Sequence, residues 1–212
     1  MTGRPLSLGV LVSGTGTNLQ AVLDAVEAGN LSAKVSVVVS NVATAKALAR
    51  AKTAKVPAIV VDHRAYPSRD SFDAALVDVL EAHQVDCVVL AGFMRLVTPK
   101  LLEAFPDRVV NVHPALLPAF PGLHAQRQAL EHGVAVTGCT VHFVDAGTDT
   151  GPIIAQAAVP VLDVDDEASL TARILKKEHE LLPLVLGWIA EDRVTVLRGE
   201  GVRPRVRVRL DR

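Results

Sequence analysis

Aromatic residues make up only 3% of this 212-residue chain, while half of it is apolar. Whatever core it buries must therefore be built from aliphatic side chains, and its length suits one domain spanning residues 1–212. Cysteine is equally scarce. Cys87 in "DCVVLAG" and Cys139 in "TGCTVHF" sit in strand-like apolar runs, away from metal-ligand or redox spacing, and read as buried free thiols of a cytoplasmic protein. There is no excess of positive charge, with 22 Lys plus Arg against 23 Asp plus Glu, so nothing advertises nucleic acid and any anion site must be local. The start, "MTGRPLSLGVLVSG", has too short an apolar run for a signal peptide, and no window is long enough for a membrane span. Repeats, low-complexity segments and long linkers are missing too.

What is present is alternation. Short β-branched runs ("LSLGVLV", "KVSVVVS", "AIVVD", "VDCVVLA", "RVVNVH", "TGCTVHFV", "PIIAQAAVPV") are separated by helical patterns at 18–28 (closed by Gly29), 43–54 and 70–83. The early runs are apolar throughout, as strands covered on both faces are, which predicts an α/β fold with a mainly parallel sheet flanked by helices. From Asp165 a long final helix is expected, with acidic residues at its start and Pro183 kinking or splitting it. The tail "VRPRVRVRL" alternates Val with Arg. A nucleic-acid patch would look like this, but so would an edge strand with one wet, charged face, which is the simpler reading.

Directly after the first strand comes "SGTGTNLQ". Gly14 and Gly16, leading into a helix near Asn18, would let backbone N–H groups and the helix N-terminus approach a phosphate. The spacing is neither GxGxxG nor a P-loop, and an ordinary tight turn would also use these glycines. If the loop does bind an anion, the rest of the site lies beyond the carboxyl ends of neighbouring strands, where the winding direction reverses.

"NVHPALLPAFPGLH" supplies such a strand end. Asn111 and His113 are two residues apart and share a face of an extended strand, while Pro114 keeps His113 out of helical geometry. An amide and an imidazolium there could hold an oxyanion without a metal. Satisfied strand-end polar groups would explain the pair as well. A third element is Asp149 in "DAGTDTGPII", a carboxylate able to sit beside His113, raise its pKa and collect a proton from a reacting amine. It could equally cap a turn, and Asp145 competes for the role.

Taken together, "SGTGTNLQA", "VVLAGFMRLV", "NVHPALLPAFPGLHAQRQAL" and "DTGPII" resemble the phosphoribosylglycinamide formyltransferases, the folate-dependent transformylases of purine synthesis, over Leu8 to about Trp188. The resemblance implies a Rossmann-like formyltransferase fold and transfer of a formyl group from 10-formyltetrahydrofolate, as cosubstrate, to the amine of glycinamide ribonucleotide, without a metal. It implies Asn111, His113 and Asp149 as the catalytic group. It places Gly14, Thr15, Gly16, Thr17 and Asn18 on the phosphate, Glu178 near the ribose, Met94, Arg95, Leu96 and Val97 beside the pteridine, and Arg69 near the glutamate tail. The implied partners are small molecules, with no nucleic acid or membrane; a homodimer is left open. Three positions depart from the pattern: Ala115 where Ser often follows "HP", Gln126 in place of a His, and Leu175 where a polar residue often faces the nucleotide. A formyltetrahydrofolate hydrolase would be expected to carry an additional N-terminal regulatory domain, and a methionyl-tRNA formyltransferase a C-terminal RNA-binding one. A non-catalytic nucleotide-binding module would need the glycine loop but not the three polar residues.

Overall fold

A computed structural model describes residues 4–200 and 202–210. The chain is α/β, with mainly parallel strands flanked by helices, and it divides into two compact units, residues 1–110 and 111–212.

In the first unit β1 (Leu6–Val12), β2 (Ala33–Ser40), β3 (Ala58–Val60) and β4 (Cys87–Leu90) lie in the order β3-β2-β1-β4, with every neighbouring pair parallel. Their continuous apolar runs are accounted for by burial: Leu8, Val10, Leu11, Val88 and Val89 are all at 0% exposure. The connecting helices are α1 (Thr17–Glu27), α2 (Lys46–Thr53), α3 (Arg69–Ala82) and α4 (Pro99–Ala104). Gly29 follows α1 at φ 73, the left-handed conformation that ends helices and suits glycine. Ser68 and Ser71 cap α3 reciprocally, fixing its start one residue before the pattern predicted. The second helix begins at Lys46 rather than Ala43. The Ser40 hydroxyl bonds both the N–H and the carbonyl of Val42, which turns the chain there and leaves Ala45 extended at ψ 125.

The strand β5 (Val109–His113) carries the chain into the second unit, where β6 (Val136–Phe143) and β7 (Ile153–Pro160) follow it in the order β5-β6-β7, the last pair antiparallel. A short α5 (Ala125–Glu131) and a 24-residue α6 (Glu167–Ala190) accompany them. Pro183 does not split α6: Leu182, Val185 and Leu186 are at 0% exposure, and burial on this scale outweighs the ~3 kcal/mol that an internal proline costs. The Val/Arg tail is an edge strand, β9 (Val202–Val208), paired with β8 (Val194–Gly199) in a separate two-stranded antiparallel sheet. Arg203, Arg205 and Arg207 are exposed while Pro204, Val206 and Val208 are half-buried, which is the one wet face that the alternation required.

Among the described residues no helix is long and apolar enough to cross a membrane. Both cysteines are free and fully buried, and burial is the main reason their thiols are pushed up to about 12.

Candidate active site

In the first unit the winding direction reverses between β1 and β4, and the loop at the carboxyl end of β1 is the glycine loop. Gly14, Thr15 and Gly16 lead into Thr17 and Asn18 at the first turn of α1; Asn18 is buried at 8% exposure. The loop is built from outside itself: Arg50 Nε donates to the Thr15 carbonyl at 2.9 Å, and the Ala47 N–H donates to the Gly14 carbonyl at 3.1 Å. Gly16 has φ 73, and a Cβ there would lie 2.5 Å from the Ala47 Cβ and 2.8 Å from its Cα. So Gly16 is required by the approach of α2. A Cβ on Gly14 would meet nothing within 4 Å, which leaves that stretch of backbone accessible.

Ser13 ties this loop to the turn after β4. Its N–H donates to the Gly92 carbonyl at 3.0 Å, its hydroxyl donates to Asn41 Oδ1 at 2.6 Å, and it accepts the Met94 N–H at 2.8 Å. The turn carries the four residues expected at the pteridine. Met94 and Leu96 are 67% and 55% exposed, Val97 is half-buried, and the Arg95 guanidinium lies 5.6 Å from the Phe72 ring centroid. The far end of the turn is anchored by the buried Asp73 of α3, which accepts the Thr98 N–H at 2.5 Å. Arg69 is exposed at the start of α3.

The second unit brings Asn111, His113 and Asp149 together, and adds a histidine that the sequence reading missed. Asp149 Oδ2 accepts the Gly122 N–H at 2.7 Å and lies 3.3 Å from His113 Nδ1. Its Oδ1 lies 3.5 Å from Asn111 Nδ2 and 3.6 Å from His142 Nε2. His142 Nδ1 lies 2.8 Å from the Phe143 carbonyl, and its Nε2 lies 3.1 Å from Asn111 Nδ2. His142 is 2% exposed and reads as a core residue in "CTVHF". The available signal was Thr140 and His142, two polar residues on one face of an otherwise apolar strand.

The electrostatics of His113 correct one expectation. Asp149 does favour the charged ring, but the pKa is lowered overall, because burial outweighs both the Asp149 charge and the Phe120 carbonyl, which accepts from Nε2 at 2.8 Å. For Asp149, burial is also the largest effect and would raise the carboxyl. Hydrogen bonds from His142 and Gly122, with the charge of His113, together hold it below its ordinary range.

The segment after His113 is held in place by side chains beneath it. Thr140 Oγ1 donates to the Ala115 carbonyl at 2.7 Å and accepts the Leu117 N–H at 3.0 Å, and Gln156 Nε2 reaches the Leu117 carbonyl at 2.9 Å. Ala115 itself is fully buried, so a larger polar side chain there would need room and a partner. Asp145 is occupied elsewhere, accepting the Gly147 N–H at 3.1 Å and the Thr150 hydroxyl at 2.7 Å; of the two aspartates it is Asp149 that lies beside His113. Glu178 is buried in α6, and its charge adds to burial in raising the Cys139 thiol. Gln126 on α5 and Leu175 on α6 are half-buried. Among the described residues no group of three His, Cys, Asp or Glu is arranged to hold a metal ion.

Residues 7–186 match the family model described as formyl transferase. This chain belongs to the formyl transferase family. It is 49% identical over 193 residues to the phosphoribosylglycinamide formyltransferase of Mycobacterium tuberculosis, covering 91% of this chain and 89% of that protein. With the Escherichia coli protein of the same name it is 42% identical over 189 residues, 89% of each. The trifunctional purine biosynthetic protein adenosine-3 of Drosophila melanogaster is 48% identical over 191 residues, 89% of this chain, but the chain spans only 14% of that relative's length. Among solved formyl transferase structures, glycinamide ribonucleotide transformylase 1 from Symbiobacterium toebii superposes with a TM-score of 0.93 at 55% identity, covering 98% of this chain and 95% of the other.

Proposed function

We propose that this formyl transferase moves the formyl group of 10-formyltetrahydrofolate to the amine of glycinamide ribonucleotide, residues 1–212 acting as one formyltransferase domain. The observation that carries this reading is the Asp149 carboxylate set 3.3 Å from His113 Nδ1 and 3.5 Å from the Asn111 amide, a buried proton-transfer and oxyanion-binding group in a chain of this family.

The amine attacks the formyl carbon, and the carbonyl oxygen gains negative charge. The Asn111 amide and His113 Nε2–H hold that charge, Nε2 exchanging the Phe120 carbonyl for the formyl oxygen. Burial of the ring favours its neutral form, whose Nε2–H, now against the Phe120 carbonyl, is the donor offered to the oxyanion. Asp149, directly or through water, takes the proton that the amine sheds as its new bond to carbon forms. That proton passes to the folate nitrogen as its bond to the formyl carbon breaks, giving the formylated nucleotide and tetrahydrofolate. No residue forms a covalent intermediate and no step calls for a metal.

Gly14, Thr15, Gly16, Thr17 and Asn18 are assigned to the phosphate, through backbone N–H groups at the start of α1. Glu178 is assigned to the ribose, Met94, Arg95, Leu96 and Val97 to the pteridine, and Arg69 to the glutamate tail. The protein is placed in the cytoplasm, acting on small molecules.

The test is incubation with 10-formyltetrahydrofolate, with and without glycinamide ribonucleotide. Tetrahydrofolate released only when the nucleotide is present is the expected outcome. Release in water alone would mean a hydrolase, and no release in either mixture would leave a binding module.

A further inference from the structure

The β8–β9 hairpin lies beyond the residues that match the family model, and one of its arginines reaches the loop that holds Asp149. The Arg203 Nη2 donates to the Thr150 carbonyl and lies 3.5 Å from the Gly151 carbonyl. These are the two residues that follow Asp149.

The geometry of that loop explains why the contact matters. Asp149 has φ 54, a left-handed conformation that is uncommon for non-glycine residues, though aspartate tolerates it better than most. Before it, the Asp145 side chain closes the loop on the Gly147 N–H and the Thr150 hydroxyl. Beyond it, Gly151 passes so close to β6 that a Cβ would fall 1.8 Å from the Phe143 carbonyl oxygen. The Asp149 carboxylate is itself caught by the Gly122 N–H. The Thr150 and Gly151 carbonyls both face the Arg203 guanidinium.

We propose that Arg203 is a positioning residue: by holding the Thr150 and Gly151 carbonyls it keeps the Asp149 peptide in its left-handed conformation and the carboxylate in register with His113. The proposal rests on the formyl-transfer reading above. It also gives the hairpin a purpose that its charge alone does not suggest, since Arg205 and Arg207 share the exposed face without bonding to this loop.

The test compares wild type with Arg203→Ala, Arg203→Lys and Arg205→Ala by steady-state formyl transfer and thermal unfolding. Displacement of a reacting group by about 1 Å can cost up to about 10²-fold in rate, so Arg203→Ala should lose about tenfold or more in kcat. KM for glycinamide ribonucleotide should be nearly unchanged, and so should Tm, because the side chain is exposed. Arg203→Lys, which keeps one donor, should recover part of kcat, and Arg205→Ala should behave as wild type. Adding guanidinium at millimolar concentration to Arg203→Ala should raise its rate. Wild-type kcat in Arg203→Ala, an equal loss in Arg205→Ala, or a loss of kcat that follows Tm would each overturn the inference. A wild-type protein that transfers no formyl group would instead sink the functional reading beneath it.

Discussion

At the scale of single residues, Asn-x-His-Pro at a strand end could be read from sequence because strand alternation puts the two polar side chains on one face and proline fixes the exit. The choice between Asp145 and Asp149 could not be made from the loop's composition, since both sit in the same glycine-rich loop; only the family resemblance pointed to Asp149, and the folded path is what sets its carboxylate beside His113. Substitutions should separate their roles by kinetics. Asn111→Ala should lower kcat by about 10²–10³, the typical cost of an oxyanion donor. Asp149→Asn should lower it by about 10²–10⁴, the range for a positioned proton-transfer group. Asp145→Asn keeps an acceptor for the Gly147 N–H and the Thr150 hydroxyl and should stay close to wild type. A crippled Asp145→Asn beside a normal Asp149→Asn would reverse the assignment. The depressed pKa of His113 yields a second prediction, for stability. The unfolded chain takes up this proton near 6.5, whereas the folded protein takes it up only at lower pH. In that window protons favour the unfolded chain, so stability falls as pH drops through 6.5 and this contribution levels off below the folded value. Asp149 acts in the same direction but lower down: its stabilisation is present above 3.8 and is lost as pH falls through its depressed folded value. Thermal unfolding from about pH 8 to about pH 5 should therefore show a declining Tm that is shallower in His113→Gln; identical slopes would show that the ring does not stay neutral in the folded protein.

At the scale of elements, even a four-residue strand such as β4 was readable, but the short helices were not. The strands β1, β2 and β4 were visible as apolar runs because they are buried on both faces. The helices α4 and α5, of 6 and 7 residues, are too short to show a helical period, and the hairpin partner β8 was hidden by its few apolar residues. The glycine loop shows how motif and packing can be confused, because its two glycines do different things. Gly16 is enclosed by α2 and left-handed, so Gly16→Val should cost about 2 kcal/mol or more in stability through overpacking and backbone strain. Gly14 is open, so Gly14→Ala should fold with nearly unchanged Tm while its methyl obstructs the backbone face assigned to phosphate, raising KM for glycinamide ribonucleotide. Denaturation curves and steady-state kinetics on the two variants check both statements. A Gly14→Ala protein with wild-type KM would take the phosphate away from this stretch of loop, whatever Gly16→Val does.

At the scale of the whole molecule, the scarcity of aromatics noted at the outset is answered by a core of Leu, Val, Ile and Ala in which Phe72 is the largest fully buried side chain. That core also provides two internal reporters. Cys87 on β4 belongs to the first unit and Cys139 on β6 to the second, and both are at 0% exposure. With each thiol pushed up to about 12 by burial, the reactive thiolate is far rarer than for an ordinary cysteine, before any loss of access is considered. Neither should react with an aromatic disulfide reagent in the native protein, and both should react once denaturant has unfolded the chain. Any slow native reaction must pass through an opening that frees the strand, so the logarithm of its rate should rise with denaturant, with a slope set by the surface exposed. Single substitutions, Cys87→Ala and Cys139→Ala, assign each rate to its own unit. Rapid labelling of either thiol without denaturant, at a rate insensitive to urea, would mean that its strand is not buried in solution as it is in this structure.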